Sequence, residues 1–455
     1  MTMNRSPRLA FAALTALALS QAVGCAPGDD VASPASTYEE AVAPLFSAVS
    51  LDQVPAAVQR RFRDTPRVAR SRFVRATRAQ VAQLARRGTT VRLNLFDDAS
   101  FEVSNRKLVP RAAERATWFG RVADEQSGEA SLIVHDGRMR GHVVARGRTY
   151  ELRDVGVDLY LVRELRPWRS EGEPRVIDAT AVPLGGPFHN PSGLPASGSS
   201  TIDLMVVATD AARQGAEADT GIPFGLGILL EILLGVDETN DALETSLVGH
   251  RIRLVRTNIA AFDEYSVADM NAQLAWLDGE VRTLGTTVRN DRDTYRADLV
   301  SMWVEDGLSA CGIAHRMVNV SAAFADSATS VVDRNCQYKY SFSHELGHNF
   351  GAHHDTYVAG GAATAYPYSF GYVFDVPFAG FGPILPPPAH RRTMLAYDEE
   401  CAAGGYTCPR VLAYSTPNVT WGLTPIYSPQ PIGTAALEDN ARTIVNTGAT
   451  VAAFR

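Results

Sequence analysis

Lysine, closely paired cysteines and long apolar segments are all scarce in this chain of 455 residues. The chain contains two lysines, Lys107 and Lys339, and 41 arginines. We take this imbalance as a coding bias without functional meaning. None of the five cysteines has C-x-x-C spacing, which argues against a structural zinc site built from cysteines. The apolar run 222–236 is too short to cross a membrane and contains Glu231, so it predicts a buried helix.

Charge is divided unevenly along the chain. Residues 201–455 carry 29 acidic and 16 basic residues, whereas residues 1–200 carry 21 acidic and 27 basic ones. This division predicts that a basic N-terminal part docks electrostatically over the cleft of an acidic C-terminal part. The alternative is a set of solvated arginine faces without a partner. No nucleic-acid-binding motif accompanies the arginines, so a nucleic-acid partner is not expected.

The N-terminus has the pattern of an export signal. Two arginines precede an apolar run that ends in small residues, so residues 1–25 predict a secretory signal peptide. The residues before Cys25 resemble a bacterial lipoprotein cleavage box, with Ala22 where leucine is preferred. Either Cys25 is lipidated, which would be the one attachment to a membrane, or ordinary signal cleavage occurs beside it. The protein is therefore expected to be secreted or held at the cell envelope of a bacterium.

Three segments follow the signal. Residues 26–180 combine arginine-rich helical segments with short strands and hairpin signals, and they predict a small α+β domain with a mostly antiparallel sheet. Residues 181–200 are rich in proline, glycine and serine and predict an exposed linker that proteases can reach. Residues 201–455 change to an α/β pattern, in which 322–332 is the expected edge strand above the cleft.

The most specific pattern is H-E-x-x-H-x-x-G-x-x-H-D, which spans residues 344–355. His344 and His348 are four residues apart, so on a helix they share one face and can bind one metal ion. Gly351 can adopt a positive φ, which lets the helix end and the chain turn so that His354 supplies a third ligand. Three protein ligands with an open fourth position indicate a catalytic zinc site, because structural sites are closed by four.

Glu345 supplies this site with a general base. Its carboxylate can reach a zinc-activated water, take a proton as the water attacks a peptide carbonyl, and return the proton to the leaving amine. His353 is one position off the ligand spacing and is expected to point elsewhere. Asp355 is expected to orient the turn or a helix end and not to bind the metal.

The motif, including the aspartate after its third histidine, resembles the metzincin metalloproteases of the reprolysin (adamalysin-like) type, and especially their bacterial members. The resemblance covers about residues 200–455. It also rests on shorter segments before and after the motif, which match in order and spacing: 297–304, 311–314, 335–336, 341–343, 393–397 and 414–419.

The resemblance implies a metzincin catalytic domain of the α/β (α+β) class over 201–455, with a mixed twisted sheet, an active-site helix and one catalytic zinc ion. It also implies that the domain at 26–180 is a propeptide that inhibits the enzyme intramolecularly. No prediction about calcium follows.

Residues 393–397 resemble the Met-turn of this family, which lies beneath the metal. In that register Leu395 takes the place of the methionine and Met394 that of the aliphatic residue. The two side chains are close in volume, so the exchange should be tolerated. Tyr397 either lies near the zinc and the oxyanion, as in some metzincins, or packs as an ordinary core tyrosine.

Four cysteines remain near the motif if Cys25 is removed or lipidated. An even number in an exported chain implies disulfides, and four cysteines allow three connectivities. Neighbourhood and the family resemblance together favour the pairs Cys311–Cys336 and Cys401–Cys408.

Two classes of function fit these features. The first is a secreted zinc metalloendopeptidase that hydrolyses proteins or peptides. The second is an exported zinc-binding pseudoprotease that serves as an adhesin or scaffold. Pseudoenzymes commonly lose the base while they keep the fold, so the presence of Glu345 favours the enzyme.

Overall fold

Two β-sheets, one in each half of the chain, organise the protein. The structure is a computed structural model that describes residues 42–62, 66–112, 115–123, 128–166, 177–178, 199–379, 388–422 and 428–455. The predicted signal peptide, Cys25 and nearly all of the predicted linker lie outside the described residues. Within these ranges, none of the helices combines the length and apolarity that a membrane crossing needs.

The N-terminal domain, defined as the described residues 42–166, is built on a nine-stranded antiparallel sheet. Its strands follow the order β1-β2-β9-β8-β7-β6-β5-β4-β3. The elements are β1 Ser47–Ala48, a 3-10 turn Leu51–Gln53, α1 Ala56–Arg61, β2 Val68–Arg75, α2 Arg78–Ala82, a 3-10 turn Gln83–Ala85, β3 Thr90–Phe96, β4 Ala99–Ala112, β5 Arg115–Val122, β6 Glu129–His135, β7 Arg138–Ala145, β8 Arg148–Gly156 and β9 Leu159–Leu165.

The hairpin signals in the sequence are confirmed in this sheet. Asp136 and Gly137 have φ values of 50° and 71°, and Arg146 and Gly147 have 49° and 70°. Two consecutive residues with positive φ form the tight turn whose twist matches that of the strands it joins. The segment before β1 also reaches β3, because the Leu45 amide donates to the Arg92 carbonyl at 2.9 Å. The sheet is therefore curled around its own core.

The C-terminal domain, defined as residues 199–455, is built on a mixed sheet with the order β10-β14-β15-β13-β11-β12. The short strand β10 Ile177–Asp178 precedes the domain in sequence. The remaining elements are β11 Thr201–Thr209, α3 Asp210–Thr220, α4 Leu226–Thr245, β12 Arg251–Ala260, a 3-10 turn Glu264–Ser266, α5 Met270–Arg282, α6 Thr287–Tyr295, β13 Leu299–Val304, β14 Gly312–Arg316, a 3-10 turn Ala322–Ser327, β15 Thr329–Asp333, a 3-10 turn Arg334–Lys339, α7 Ser341–Asn349, β16 His353–Asp355, α8 Thr356–Ala359, β17 Phe370–Gly371, β18 Val373–Val376, β19 Ala389–Arg392, α9 Glu399–Ala403, β20 Thr420–Trp421, β21 Gln430–Pro431 and α10 Asn440–Val451.

Helices cover both faces of this sheet, as the buried α/β pattern predicts. Along β11, Leu204 and Val206 pack in one core with residues of α3, α4, α7 and α10. Met205 and Val207, on the opposite face, pack in a second core with residues of α5 and α6. The active-site helix α7 is thus buried beneath the first face.

The prediction of an edge strand at 322–332 is wrong. Its first part, Ala322–Ser327, is a 3-10 turn, and β15 lies inside the sheet between β13 and β14. Strand β14 lies outside β15 and runs antiparallel to it. The chain passes through β14 and then returns to insert β15 nearer the centre, an order that local sequence patterns do not reveal.

Ion pairs join the N-terminal domain to α4 of the C-terminal domain. Four cations contact carboxylates that are themselves buried on this helix: Arg140 with Glu231 at 2.6 Å, Arg111 with Asp237, and both Arg106 and Lys107 with Asp241. These contacts match the electrostatic docking expected from the uneven charge. These ion pairs lie on α4 and not over α7. They therefore do not support the expectation that the folded domain docks over the cleft.

A second charged group lies just before α7. Arg334, with 2% of its side chain exposed, contacts Glu231 at 2.9 Å, Asp219 at 2.7 Å and Glu305 at 2.5 Å. Arg153 of the N-terminal domain also pairs with Asp219. Burial alone would raise the pKa of Asp219, but the two guanidinium groups hold it well below its usual range. The ionised carboxylate therefore bridges the two domains.

We expect Asp219→Asn to destabilise the protein by about 2–3 kcal/mol at pH 7, because it leaves two buried guanidinium groups with less compensation. Since the pKa of Asp219 is lowered in the folded state, its contribution is present above the unfolded pKa and is lost as the pH falls. The difference between the proteins should narrow below about pH 4. Urea unfolding at several pH values measures it.

The matched control is Asp210→Asn, which removes a half-exposed partner of Arg213 on α3. An exposed pair contributes at most about 1 kcal/mol. Equal effects of the two substitutions would show that the Asp219 bridge carries no special stability.

Candidate metal centre and active site

Helix α7 is short and buried, and it carries His344 and His348. It starts after Tyr340, which has a φ of 59°, and ends before Gly351, which has a φ of 89°. The predicted role of Gly351 is confirmed, because a side chain there would also approach the Met317 carbonyl oxygen to 2.7 Å. The Ala352 amide then donates to the Gly347 carbonyl at 3.0 Å, which closes the turn.

The three predicted ligands converge on one point. The Nε2 atoms of His344, His348 and His354 lie 3.0–3.2 Å from one another, and all three residues are buried. A zinc ion with bonds of about 2.0–2.1 Å in tetrahedral geometry would hold such nitrogens about 3.3 Å apart. The residues present therefore fit the metal, and the group could hold one ion.

Backbone carbonyls orient two of these rings. The second ring nitrogen of His344, Nδ1, lies 2.9 Å from the Met394 carbonyl oxygen, and that of His348 lies 2.9 Å from the Ala352 carbonyl oxygen. Each Nδ1–H donates to its carbonyl, which leaves the Nε2 lone pair for a metal. Burial keeps the pKa of His348 well below its usual value, so its ring is neutral, as a ligand must be.

His353 points away from this cluster, as its spacing predicts. Its ring stacks on Phe370 with 5.8 Å between centroids, and its amide donates to the Ser369 carbonyl at 2.8 Å. Burial lowers the pKa of His353 to about 3, so its ring is uncharged at neutral pH. The ring has a packing role in the turn.

Glu345 lies against strand β14 with 2% of its surface exposed. A Cβ atom built on Gly312 would come within 2.4 Å of Glu345 Oε1. The absence of a side chain at Gly312 therefore makes the space that the carboxylate occupies. Sequence patterns did not single out this glycine, although it stands beside Cys311 in one of the segments that carry the family resemblance.

The Met-turn residues lie beneath α7. Leu395 is the nearer of the two to the helix backbone, because its Cδ2 would be 2.9 Å from a Cβ on Gly347. Met394 contributes its carbonyl to His344, and both side chains are fully buried. With Met394 and Leu395 in these two positions, the residues beneath α7 are apolar and buried.

Asp355 and Tyr397 connect the third ligand to the Met-turn. Asp355 Oδ1 accepts from the amides of Tyr357 and Val358 at the start of α8, and Oδ2 accepts from the Tyr397 amide at 2.8 Å. The expected orienting role of Asp355 fits these bonds. The ring of Tyr397 lies 4.1 Å from that of His354 between centroids.

Two buried arginines support the same turn and were missed in the sequence. Arg392 Nη1 donates to the Ala396 carbonyl oxygen at 2.7 Å, and Arg410 Nη2 donates to the same atom at 3.3 Å. Arg410 Nη1 also donates to the Lys339 carbonyl oxygen at 2.6 Å, just before α7. No local pattern marks an arginine whose partner is a distant carbonyl.

Both expected disulfides are present. Cys311–Cys336 connects the start of β14 to the 3-10 turn before α7, and Cys401–Cys408 closes a short loop after the Met-turn. The first bond holds together the two segments that flank Glu345.

Parts of this chain are similar to known metallopeptidases. Residues 198–377 match a reprolysin-type family model described as metallo-peptidase family M12. A peptidyl-Asp metalloendopeptidase of Stenotrophomonas maltophilia is 29% identical over 96% of this chain and 100% of its own length. A protein of the same name from Xanthomonas campestris pv. campestris is 28% identical over 76% of this chain and 74% of its own length. Metalloproteinase-II from Bacteroides fragilis aligns at 12% identity over 61% of this chain and 84% of that chain, with a TM-score of 0.38.

The histidine cluster and the similarity in sequence to these metallopeptidases support a zinc metalloendopeptidase. More particularly, residues 198–377 are similar to a reprolysin-like M12 domain, and this similarity supports a metzincin-type metallopeptidase. The family implies a bound metal, typically zinc, and the three histidines are the residues that could hold it.

We expect Gly312→Ala to lower kcat by about 10- to 100-fold, because the added methyl group displaces the Glu345 carboxylate and a shift near 1 Å suffices for such a loss. Zinc content and the thermal unfolding midpoint should change little. Steady-state kinetics with metal analysis measures the effect.

Gly279→Ala is the matched control, since a Cβ there meets nothing within 4 Å in α5. It should leave kcat unchanged and stabilise the helix by up to about 1 kcal/mol. An unchanged kcat in Gly312→Ala would show that the contact with Glu345 is not needed.

Proposed function

We propose that this chain is an exported endopeptidase in which His344, His348 and His354 hold one catalytic zinc ion and Glu345 is the general base. The observation that carries the proposal is the convergence of the Nε2 atoms of His344 and His348 on α7 with that of His354 on β16, while α7 also carries the buried carboxylate of Glu345. The proposal of export rests on the sequence of residues 1–25, and it leaves open secretion or attachment through Cys25 at the cell envelope.

The chemistry divides between the ion and the chain. When bound, zinc supplies Lewis acidity, which lowers the pKa of water and polarises the peptide carbonyl. Glu345 accepts the proton of the attacking water on its carboxylate and then donates it to the leaving nitrogen as the C–N bond breaks. Gly312 leaves room for this carboxylate. Tyr397 packs against His354 and holds the Met-turn beside the ligands.

The substrates are proposed to be proteins and peptides that contain aspartate at the cleaved bond. This proposal is supported by the name of the relatives, peptidyl-Asp metalloendopeptidase, one of which aligns over its whole length. The competing class is a zinc-binding pseudoprotease. It differs from the proposed peptidase because it would bind zinc without hydrolysing peptides.

Glu345→Ala should abolish casein hydrolysis while about one zinc per chain is retained, because the carboxylate acts on water and does not ligate the metal. Glu280→Ala on α5 is the control and should leave the rate unchanged. Activity within a few-fold of wild type in Glu345→Ala would contradict the assigned base. An inactive wild-type protein with bound zinc would favour the pseudoprotease.

Substrate choice is tested with a pair of peptides that differ only by aspartate or asparagine at one position. We expect kcat/KM to be at least about tenfold higher for the aspartate peptide, since a site that pairs with a charge rejects the neutral isostere. Mass spectrometry locates the cleaved bond. Equal rates for both peptides would refute the proposed aspartate requirement.

A further inference from the structure

A residue of the last helix holds the turn that carries the third candidate ligand. Helix α10 begins at Asn440, whose side chain is fully buried. Asn440 Nδ2 donates to the His353 carbonyl oxygen at 3.0 Å, and the His353 amide donates to Asn440 Oδ1 at 3.3 Å as well as to the Ser369 carbonyl oxygen at 2.8 Å. One side-chain amide therefore pairs with both main-chain groups of His353, as a residue of a neighbouring strand would.

The two peptide units on either side of His353 lead to two of the three candidate ligands. The first unit joins Ala352 to His353, and its carbonyl oxygen accepts from His348 Nδ1 at 2.9 Å. The second unit joins His353 to His354 and supplies the His354 amide. Because a peptide unit is planar, holding the N–H of the first unit and the carbonyl of the second restrains both units. Asn440 thereby acts on the orientation of the His348 ring and on the placement of the His354 main chain.

Asn440 is itself fixed at the start of α10. Its main-chain amide donates to Ser415 Oγ at 3.0 Å, and this hydroxyl donates to the Phe370 carbonyl oxygen at 2.6 Å. Phe370 belongs to β17, the strand that pairs with His353 in β16. The side chain of Asn440 thus reaches His353 from a frame that includes the strand beside the turn.

Asparagine suits this position because its side chain carries a donor and an acceptor at one end. An ionised aspartate has nearly the same size but only accepts, so it would place an oxygen against the His353 carbonyl oxygen. Alanine makes neither contact. No local pattern marks Asn440, which is 87 residues from His353 along the chain.

We propose that Asn440 is a positioning residue of the candidate metal centre. Its amide holds the two peptide units that flank His353, and through them it keeps His348 and His354 in the geometry that one metal ion needs. Groups that orient metal ligands from outside typically account for about 10- to 100-fold in metal affinity. This inference rests on the proposed zinc site and adds to it a residue that is not a ligand.

The test measures the zinc affinity of the full chain by competition with a chelator, so it does not depend on peptidase activity. We expect Asn440→Ala and Asn440→Asp to bind zinc at least about tenfold more weakly than the wild type, because two of the three ligands lose their fixed placement.

The matched control is Asn446→Ala. Asn446 lies on the same helix, but its Nδ2 donates to the Tyr368 hydroxyl at 2.7 Å instead of to the turn at His353. This substitution removes a side-chain amide of the same kind from α10, and it should leave the zinc affinity unchanged.

Thermal unfolding with and without zinc separates positioning from a general effect on the fold. A residue that only holds α10 in place would lower the unfolding midpoint of the metal-free chain and leave the stabilisation by zinc as in the wild type. In both Asn440 variants we expect the increase in midpoint on addition of zinc to be smaller than in the wild type and in Asn446→Ala. The visible absorption spectrum of the cobalt-substituted chain should change in the same two variants.

Wild-type zinc affinity in both Asn440 variants, or an equal loss of affinity in Asn446→Ala, would overturn the inference and leave the proposed zinc site standing. A wild-type chain that binds no zinc would overturn both. Weaker zinc binding in the two Asn440 variants, together with a zinc-loaded wild type that hydrolyses no peptide, would support the positioning role and refute the peptidase function.

Discussion

The convergence of three imidazole nitrogens is the constraint on which the active site depends. Neutral imidazole rings whose Nε2 lone pairs face one another at 3.0–3.2 Å do not stabilise one another unless a cation lies between them. Carbonyls of Met394 and Ala352 hold two of the rings in this arrangement. The Met-turn and the turn at Gly351 therefore support the candidate metal centre through main-chain carbonyls, and their side chains are not among its three candidate ligands. Burial favours the neutral rings that the metal requires.

Helix α4 connects this centre to the N-terminal domain. It carries several buried carboxylates, and a buried charge is costly unless it is paired. Cations of the N-terminal domain supply the partners, and Arg334 completes the group just before α7. The other face of α4 packs on α7, where Gly235 leaves room for Phe342. Helix α4 thus contacts the N-terminal domain through charged side chains and contacts α7 through an apolar one.

Strand β14 contacts its neighbours in the sheet through main-chain groups. One side of it pairs with β15 and the other with the short strand β10. Ion pairs join the N-terminal domain to α4, whereas main-chain pairing joins Ile177 and Asp178 to β14.

Local patterns were sufficient to predict the convergence of His344, His348 and His354, because residues four apart on a helix share a face and a glycine permits the turn that follows. Hairpins at 136–137 and 146–147 were predictable for the same reason, since their turns involve only neighbouring residues. The family resemblance added the Met-turn and the two disulfides. The position of β14 outside β15, the space that Gly312 leaves for Glu345 and the hydrogen bond that the Tyr397 amide donates to Asp355 were decided by the tertiary structure. Each of these brings together segments that are distant in sequence, and the order of strands in a sheet leaves no periodic trace in any one of them.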